Sequence, residues 1–347
     1  MKNRSKNGLH LVIASILVVI SSVVVFLILD NIPLMPTAAS AQARSIDNLF
    51  RGEYAVISFL FSLIVVFMVY SIFVFRRKKG DTSDASHIEG NTKLEITWTV
   101  IPLVTVFFFA LWGGQSLREV TKVEPKPLIV NVIGQQWAWR FEYPLEGGDT
   151  VISDKLYLPV DKPALLRLSS TDVIHSFWVP EFRVKQDALP GGDAFVRPLR
   201  VTPSKIGNYK LRCAELCGRQ HTTMESDVIV SAQVDFDAWL VEQSGESADP
   251  IVRGEKVVKN FGCLACHSVD GSKIVGPTWK GLFGSQAEFD GGIPGLTVDE
   301  AYLKDTIVNT NAKIVAGYPA SVMPQNFAAQ LTEKQINDVI EYIKSLK

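Results

Sequence analysis

The sequence predicts a multidomain protein: membrane-spanning helices, then an all-β sandwich, then a small all-α domain. Three observations predict it. Long apolar runs lie before residue 115, short strand-like segments punctuated by Gly and Pro fill residues 128 to 239, and the last hundred residues turn helical around Cys263, Cys266 and His267. At 347 residues the chain is too long for one compact domain. Its formal net charge of -1 leaves no basic excess to neutralise phosphates, which excludes a nucleic-acid binder.

The apolar runs 11–29, 54–75 and 96–112 approach the ~20 residues that cross a bilayer at a rise of ~1.5 Å each. Arg76, Arg77, Lys78 and Lys79 follow the second run, and the positive-inside rule places them in the cytoplasm. The second run therefore passes from outside to inside and the third returns. Everything after Gly113 lies on the periplasmic or extracellular side of a bacterial cell membrane. Residues 1–43 read either as a first transmembrane helix or as a signal peptide. Lys2, Arg4 and Lys6 precede the apolar core, and Ala41, Gln42 and Ala43 resemble a cleavage site. Residues 44–120 form a transmembrane hairpin in both cases, with the same topology.

Strands are expected at Leu128 to Ile133, Val151 to Leu158, Ala164 to Leu168, Tyr209 to Arg212 and Asp227 to Val230, within a sandwich over residues 121–241. Residues 242–249 have a linker's composition. The domain 250–347 should begin with a helix from Pro250 to Phe261 and end with one from Glu333 to Leu346. Thr332 and Gln335 make a capping box for the latter, and Ile336, Val339, Ile340 and Ile343 share one face.

All four cysteines fall into two pairs with metal-site companions. Cys213, Cys217, His221 and Met224 put two thiols, an imidazole and a thioether on one short loop. Soft ligands of this kind select copper over hard cations. A mononuclear blue-copper loop carries one cysteine; two can bridge a pair of coppers, each capped by one histidine. The second histidine must then come from elsewhere, and His175 is the other histidine of the domain. A disulfide and a zinc site are the competing readings of the cysteine pair, though zinc has no use for the thioether.

Cys263, Cys266 and His267 have the spacing for covalent attachment of a c-type haem, with His267 binding the iron. The sixth ligand should be a soft or imidazole donor farther along. No histidine follows His267, and Met323 is the one methionine after it. His/Met ligation raises the haem potential.

His175, the loop from Cys213 to Met224 and the preceding membrane hairpin together resemble subunit II of the haem-copper cytochrome c oxidases. The resemblance implies a cupredoxin fold holding the dinuclear CuA centre. Cys213 and Cys217 would bridge the coppers, His175 and His221 cap them, and Met224 bind weakly. Glu215 would offer its carbonyl to copper and its side chain to a magnesium ion at the boundary with subunit I. Three further segments are similar to that family. Trp137, in the aromatic stretch from Gln136 to Tyr143, matches the residue where electrons enter. Glu95 matches a carboxylate at the mouth of a proton pathway, and Asp187 an acidic residue near the magnesium site. Gly192 departs from the pattern, which commonly has arginine after the preceding Pro-Gly pair.

Residues 250–347 resemble class I cytochrome c over essentially their whole length. The stretch from Gly276 to Gly284 matches a loop whose proline carbonyl, that of Pro277, accepts a hydrogen bond from the proximal histidine. The combined resemblance is to subunit II of a caa-type cytochrome c oxidase, a respiratory-chain translocase. It implies haem c and CuA as cofactors, subunit I and other oxidase subunits as partners, and an upstream cytochrome c or quinol-cytochrome c reductase-type donor. Oxygen chemistry is expected in subunit I, because the apolar runs lack the set of histidines that a haem and copper oxygen site requires, and His10 beside the first run stands alone. A linker of about ten residues would hold the haem domain near CuA at roughly millimolar effective concentration. The rival readings are a quinol oxidase subunit II, which should lack the copper ligands, and a tethered electron carrier or copper-delivery protein that never docks on an oxidase.

Overall fold

The computed structural model describes all residues except 1, 78, 81, 83, 85, 86, 88, 146–149, 246 and 248, together with the side chains of 2–7. Lys78 of the basic cluster, Glu246 and Ala248 of the expected linker, and the side chains of Lys2, Arg4 and Lys6 lie outside the described residues. The chain divides into two compact units. One comprises residues 1–38 and 42–122, the other residues 39–41 and 123–347.

The first unit contains three helices, α1 (Lys2–Asn31), α2 (Ala41–Val74) and α3 (Thr92–Val120). Each is long and apolar enough to cross a membrane. Among their described residues the buried ones are mostly small, including Ala14 and Val18 on α1, Ser58 and Ser62 on α2, and Ser116 on α3. Leu11, Phe73 and Leu111 instead stay exposed, as expected where lipid supplies the apolar surroundings. His10 Nδ1 lies 2.7 Å from Tyr70 Oη, and Arg51 pairs with Asp30 at 2.7 Å, so α1 and α2 are joined near both ends. A Cβ on Gly52 would come within 2.5 Å of the Trp112 ring, which lets α2 and α3 approach closely there.

In the second unit, the sandwich is built from β1 (Leu128–Gln135), β2 (Ala138–Pro144), β3 (Thr150–Ser153), β4 (Leu156–Pro159), β5 (Ala164–Ser170), β6 (His175–Val179), β7 (Val184–Ala188), β8 (Arg197–Val201), β9 (Gly207–Cys213) and β10 (Glu225–Ser231). One sheet has the order β3-β2-β1-β5-β8, the other β4-β10-β9-β6-β7. Alternating burial along β5 and β10 shows the inward faces, where Leu166, Leu168, Val228 and Val230 are buried, as are Phe141 and Phe177. The single strand expected from Val151 to Leu158 is in fact two, β3 and β4, in different sheets. The chain turns at Asp154 and Lys155, where the Lys155 amide donates to Ser153 Oγ at 3.1 Å, and this local bond lets it cross between layers.

A helix α4 (Gln233–Ser244) follows and takes in the first three residues of the expected linker. The helical part comprises α5 (Pro250–Asn260), α6 (Glu300–Val308), α7 (Phe327–Gln330) and α8 (Glu333–Ser345). Asp249 caps α5 by accepting from the Ile251 amide, with Pro250 at the first helical position. The Thr332–Gln335 capping box opens α8, and Ile336, Val339, Ile340 and Ile343 are buried along it. The two helices cross at Gly254, where a Cβ would collide with the Asp338 carbonyl. Beside the crossing, Arg253 grips Asp338 through two bonds of 2.9 and 2.6 Å.

Candidate metal and haem sites

The end of β9 delivers Cys213 to a loop that returns as β10, and β6, the neighbour of β9, delivers His175. Phe177 pairs with Cys213 across this ladder, so the register brings His175 to the base of the loop. Cys213 Sγ lies 3.8 Å from His175 Nδ1 and 3.7 Å from Cys217 Sγ. Cys217 Sγ lies 3.5 Å from His221 Nδ1 and 3.7 Å from Met224 Sδ. The Glu215 carbonyl is 3.3 Å from Cys213 Sγ, while its side chain points away, exposed. All six expected metal-site residues therefore meet around two sulfurs, each with its own imidazole. The separation of the sulfurs is well beyond the ~2.05 Å of a disulfide, and both thiols are free.

The ligand cluster is largely shielded from solvent by the protein itself, with His221 half-buried. His175 and Met224 are fully buried, and Cys217 is 3% exposed. Burial opposes ionisation of both thiols, but His175 and nearby backbone groups pull Cys213 down to about 6. Burial and the neighbouring Cys213 charge push Cys217 up to about 12. Two thiolates this close need a cation between them. With imidazole and thioether beside them, the donor set suits soft copper ions, and the residues fit that group.

Asp172 was not identified from sequence, yet it orients the histidine. Its Oδ1 lies 2.9 Å from His175 Nε2, leaving Nδ1 toward Cys213, and the Gln136 amide donates to its Oδ2 at 2.6 Å. Burial would raise the Asp172 carboxyl, but these bonds outweigh it and hold the group below the usual carboxylate range. The sequence signal was present, as an acid three residues before the expected ligand.

Trp137 lies at the tip of the β1–β2 hairpin. Its indole N–H donates to the Cys217 carbonyl at 3.1 Å, and Gln136 Nε2 donates to the same oxygen at 2.7 Å. Asp187 accepts from Ser176 Oγ at 2.8 Å, one residue from His175. Gly191 and Gly192 have φ of +119° and +78°, a backbone that disfavours side chains and accounts for glycine at the departing position. Glu95 belongs to the other compact unit. It occupies the exposed first turn of α3, where its Oε1 accepts from the Asn91 amide at 3.2 Å.

In the helical part, Cys263, Cys266, His267 and Met323 line one cavity of about 440 Å³. His267 Nδ1 donates to the Pro277 carbonyl at 2.8 Å, so Nε2 is left as the donor atom for a metal. The imidazole stacks on Trp279 with ring centres 4.9 Å apart. Burial lowers the imidazole's affinity for a proton, with the Pro277 bond partly offsetting it, and so keeps the ring in its neutral, ligating form. A Cβ on Gly276 would stand 2.8 Å from the His267 ring, so the loop can close on the histidine only with glycine there. Phe327, Leu331, Val339 and Ile343 line the same cavity. A flat apolar group with a ligating metal fits this space and its donors.

Fold and sites thus define a protein with a membrane-spanning helical unit and, outside it, a soft-metal site on a β-sandwich and a c-type haem site on a helical domain. Three family models match the chain: cytochrome c oxidase subunit II, transmembrane domain, over residues 29–115; its periplasmic domain over 148–234; and cytochrome c over 251–347. Cytochrome c oxidase subunit 2 of Synechocystis sp. is 33% identical over 258 residues, 61% of this chain and 76% of that protein. The protein of the same description from Alkalihalophilus pseudofirmus is 30% identical over 298 residues, 82% of each chain. Among solved structures, the periplasmic domain of cytochrome oxidase subunit II of Bradyrhizobium japonicum is 27% identical. It covers 36% of this chain and 96% of that one, with a TM-score of 0.32. The chain belongs to the cytochrome c oxidase subunit 2 family, in the caa-type arrangement with a fused C-terminal cytochrome c domain. That family carries CuA copper in the first soluble domain and haem c in the second, in a membrane-anchored oxidoreductase component with its soluble domains outside.

Proposed function

We propose that this chain is the electron-accepting subunit II of a proton-pumping caa-type cytochrome c oxidase in a bacterial cell membrane. In this reading it takes electrons from a cytochrome c or a quinol-cytochrome c reductase-type donor and delivers them to subunit I, where oxygen is reduced to water. Haem c and the dinuclear copper, when bound, supply one-electron carriage. The chain's own residues position and shield them. Cys213 and Cys217 would hold the metal pair, with His175 and His221 at its ends and Met224 and the Glu215 carbonyl beside it. Cys263 and Cys266 would anchor the haem, and His267 and Met323 ligate its iron. Preformed, buried ligand loops restrain ligand geometry between oxidation states and so limit reorganisation.

The observation that carries this reading is the pair of sulfurs 3.7 Å apart, each with a histidine of its own, in the same compact unit as the haem cavity. It favours this reading over a quinol oxidase subunit II. The bond from the Trp137 indole to the Cys217 carbonyl supports that residue as the point where electrons enter the copper site. Glu95 as the mouth of a proton path, and Glu215 with Asp187 at a magnesium ion facing subunit I, belong to the same proposal. Near-infrared absorption and electron paramagnetic resonance of the copper-loaded chain test it. The expected result is a mixed-valence two-copper signal beside a low-spin haem; a single-copper spectrum overturns it. Copurification with a multi-haem subunit I is also expected, and isolation as a stable lone carrier would speak for the tethered-carrier alternative.

A further inference from the structure

The β1–β2 hairpin has two faces that do different things. Alternation turns Gly134 and Trp139, a cross-strand pair, inward. There Trp139 meets the His175 ring edge-on at 6.0 Å, and a Cβ on Gly134 would come within 2.9 Å of that ring. The same alternation turns the pairs Ile133 with Arg140 and Gln135 with Ala138 outward, where a sandwich meets solvent. Yet Arg140 is 8% exposed and Gln135 3%. What covers them is the end of α5 and the residues leading to Cys263.

Arg140 donates to Gln330 Oε1 of the helical part at 2.6 Å and to Glu142 on its own strand at 3.1 Å. Its guanidinium lies 4.7 Å from the centre of the Phe261 ring. Gln135 Nε2 donates to the Phe261 carbonyl, and Asn260 Nδ2 to the Ile152 carbonyl at 2.9 Å. Gly262, at φ +70°, sits so close to Ala138 that a Cβ would collide with it. These bonds and close approaches to the hairpin and β3 come from Asn260, Phe261 and Gly262, the three residues immediately before the haem-attaching Cys263. At the hairpin tip, Gln136 lines the haem cavity while its side chain bonds the Cys217 carbonyl.

We propose that this hairpin is a rigid coupler: its outer face is a fixed dock for the haem domain, anchored by the positioning residue Arg140, while its inner face and tip bear on the copper loop. The inference rests on the electron-transfer reading for its purpose, and on the interface alone for its existence. The two centres then keep one separation and orientation, and the chain between the domains connects them without setting their distance. A soluble donor is also denied this face of the hairpin, because the chain's own haem domain occupies it.

The test is a pulsed electron paramagnetic resonance measurement of the copper-to-haem distance in the full-length, cofactor-loaded chain, with hydroxyl-radical footprinting of Ile133 and Phe261 as a readout independent of the cofactors. The parent chain should give one narrow distance; a free linker would spread it over about 10–15 Å. Arg140→Ala, and separately Asn260→Ala, should broaden the distribution and raise oxidation of Ile133 and Phe261 by about threefold or more, with haem and copper spectra unchanged. A broad distribution in the parent, or a narrow distance and unchanged footprints in both variants, overturns the dock. Absence of the two-copper signal in the parent would overturn the electron-transfer reading instead, and the footprints would still decide the dock.

Discussion

The copper site and the haem site solve the same problem, holding a redox centre in a dry place, by opposite routes. His175, Cys213, Cys217 and Met224 are buried by the sandwich itself, where sheet register brings them together. Around Cys263, Cys266, His267 and Met323 the helical domain instead encloses a cavity of about 440 Å³, walled by Phe327, Leu331, Val339 and Ile343, which also belong to its hydrophobic core. The difference teaches that a β ladder can prepack ligands through register, whereas this domain of short helices and long loops keeps a large space inside its core that the cofactor would fill.

The strongest attempt to break this contrast is to prevent haem attachment with Cys263→Ser and Cys266→Ser together. The helical domain should lose more than about 5 kcal/mol and melt separately from the sandwich, because a large cavity is left behind; circular dichroism and limited proteolysis read this. Copper chelation, by contrast, should leave the sandwich folded. If both domains respond alike, the contrast fails. Next in size is Asp338→Ala, which removes the carboxylate that Arg253 grips at the α5–α8 crossing and should cost the helical domain about 3 kcal/mol in denaturant titration.

Cys217→Ser should abolish the two-copper spectrum while changing sandwich stability by only about 1 kcal/mol and leaving the haem spectrum intact. Asp172→Asn keeps the shape but weakens the bond that orients His175, and copper affinity by competitive chelation should fall about tenfold. The smallest effect concerns pH. Asp227 sits between Lys210 and Lys155, whose hydrogen bonds hold its carboxyl below the ordinary range. Its folded affinity for a proton is depressed, so its contribution is present above the unfolded-state pKa near 4 and is lost as pH falls through the lower folded value. Being partly exposed, it should amount to no more than about 0.5 kcal/mol, seen as a slight drop in copper-free sandwich stability as pH falls below about 4.

Local chemistry was legible along the chain wherever neighbours in sequence remain neighbours in space. The capping box at Thr332 and Gln335, the apolar stripe of α8, the spacing of Cys263, Cys266 and His267, and the loop from Cys213 to Met224 are all of this kind. The turn at Asp154 and Lys155 was missed because the apolar alternation of Val151 to Leu158 runs straight through it; nothing local says that the chain changes sheets there. Asp172 was passed over because an acid in a loop is ordinary until its bond to a buried histidine is seen.

By itself the sequence determined the three-part plan, the soft donor set, the haem attachment pattern and the apolar helices, since each depends on residue type at short spacing. Only the tertiary structure decided that His175 reaches Cys213 from another strand, that Met323 shares a cavity with His267, and that Arg140, a charged residue on the outer face of a strand, lies buried under the haem domain. Those outcomes depend on strand register and domain packing, where residues far apart in the chain share one desolvated contact, and no local pattern records which partner each will meet.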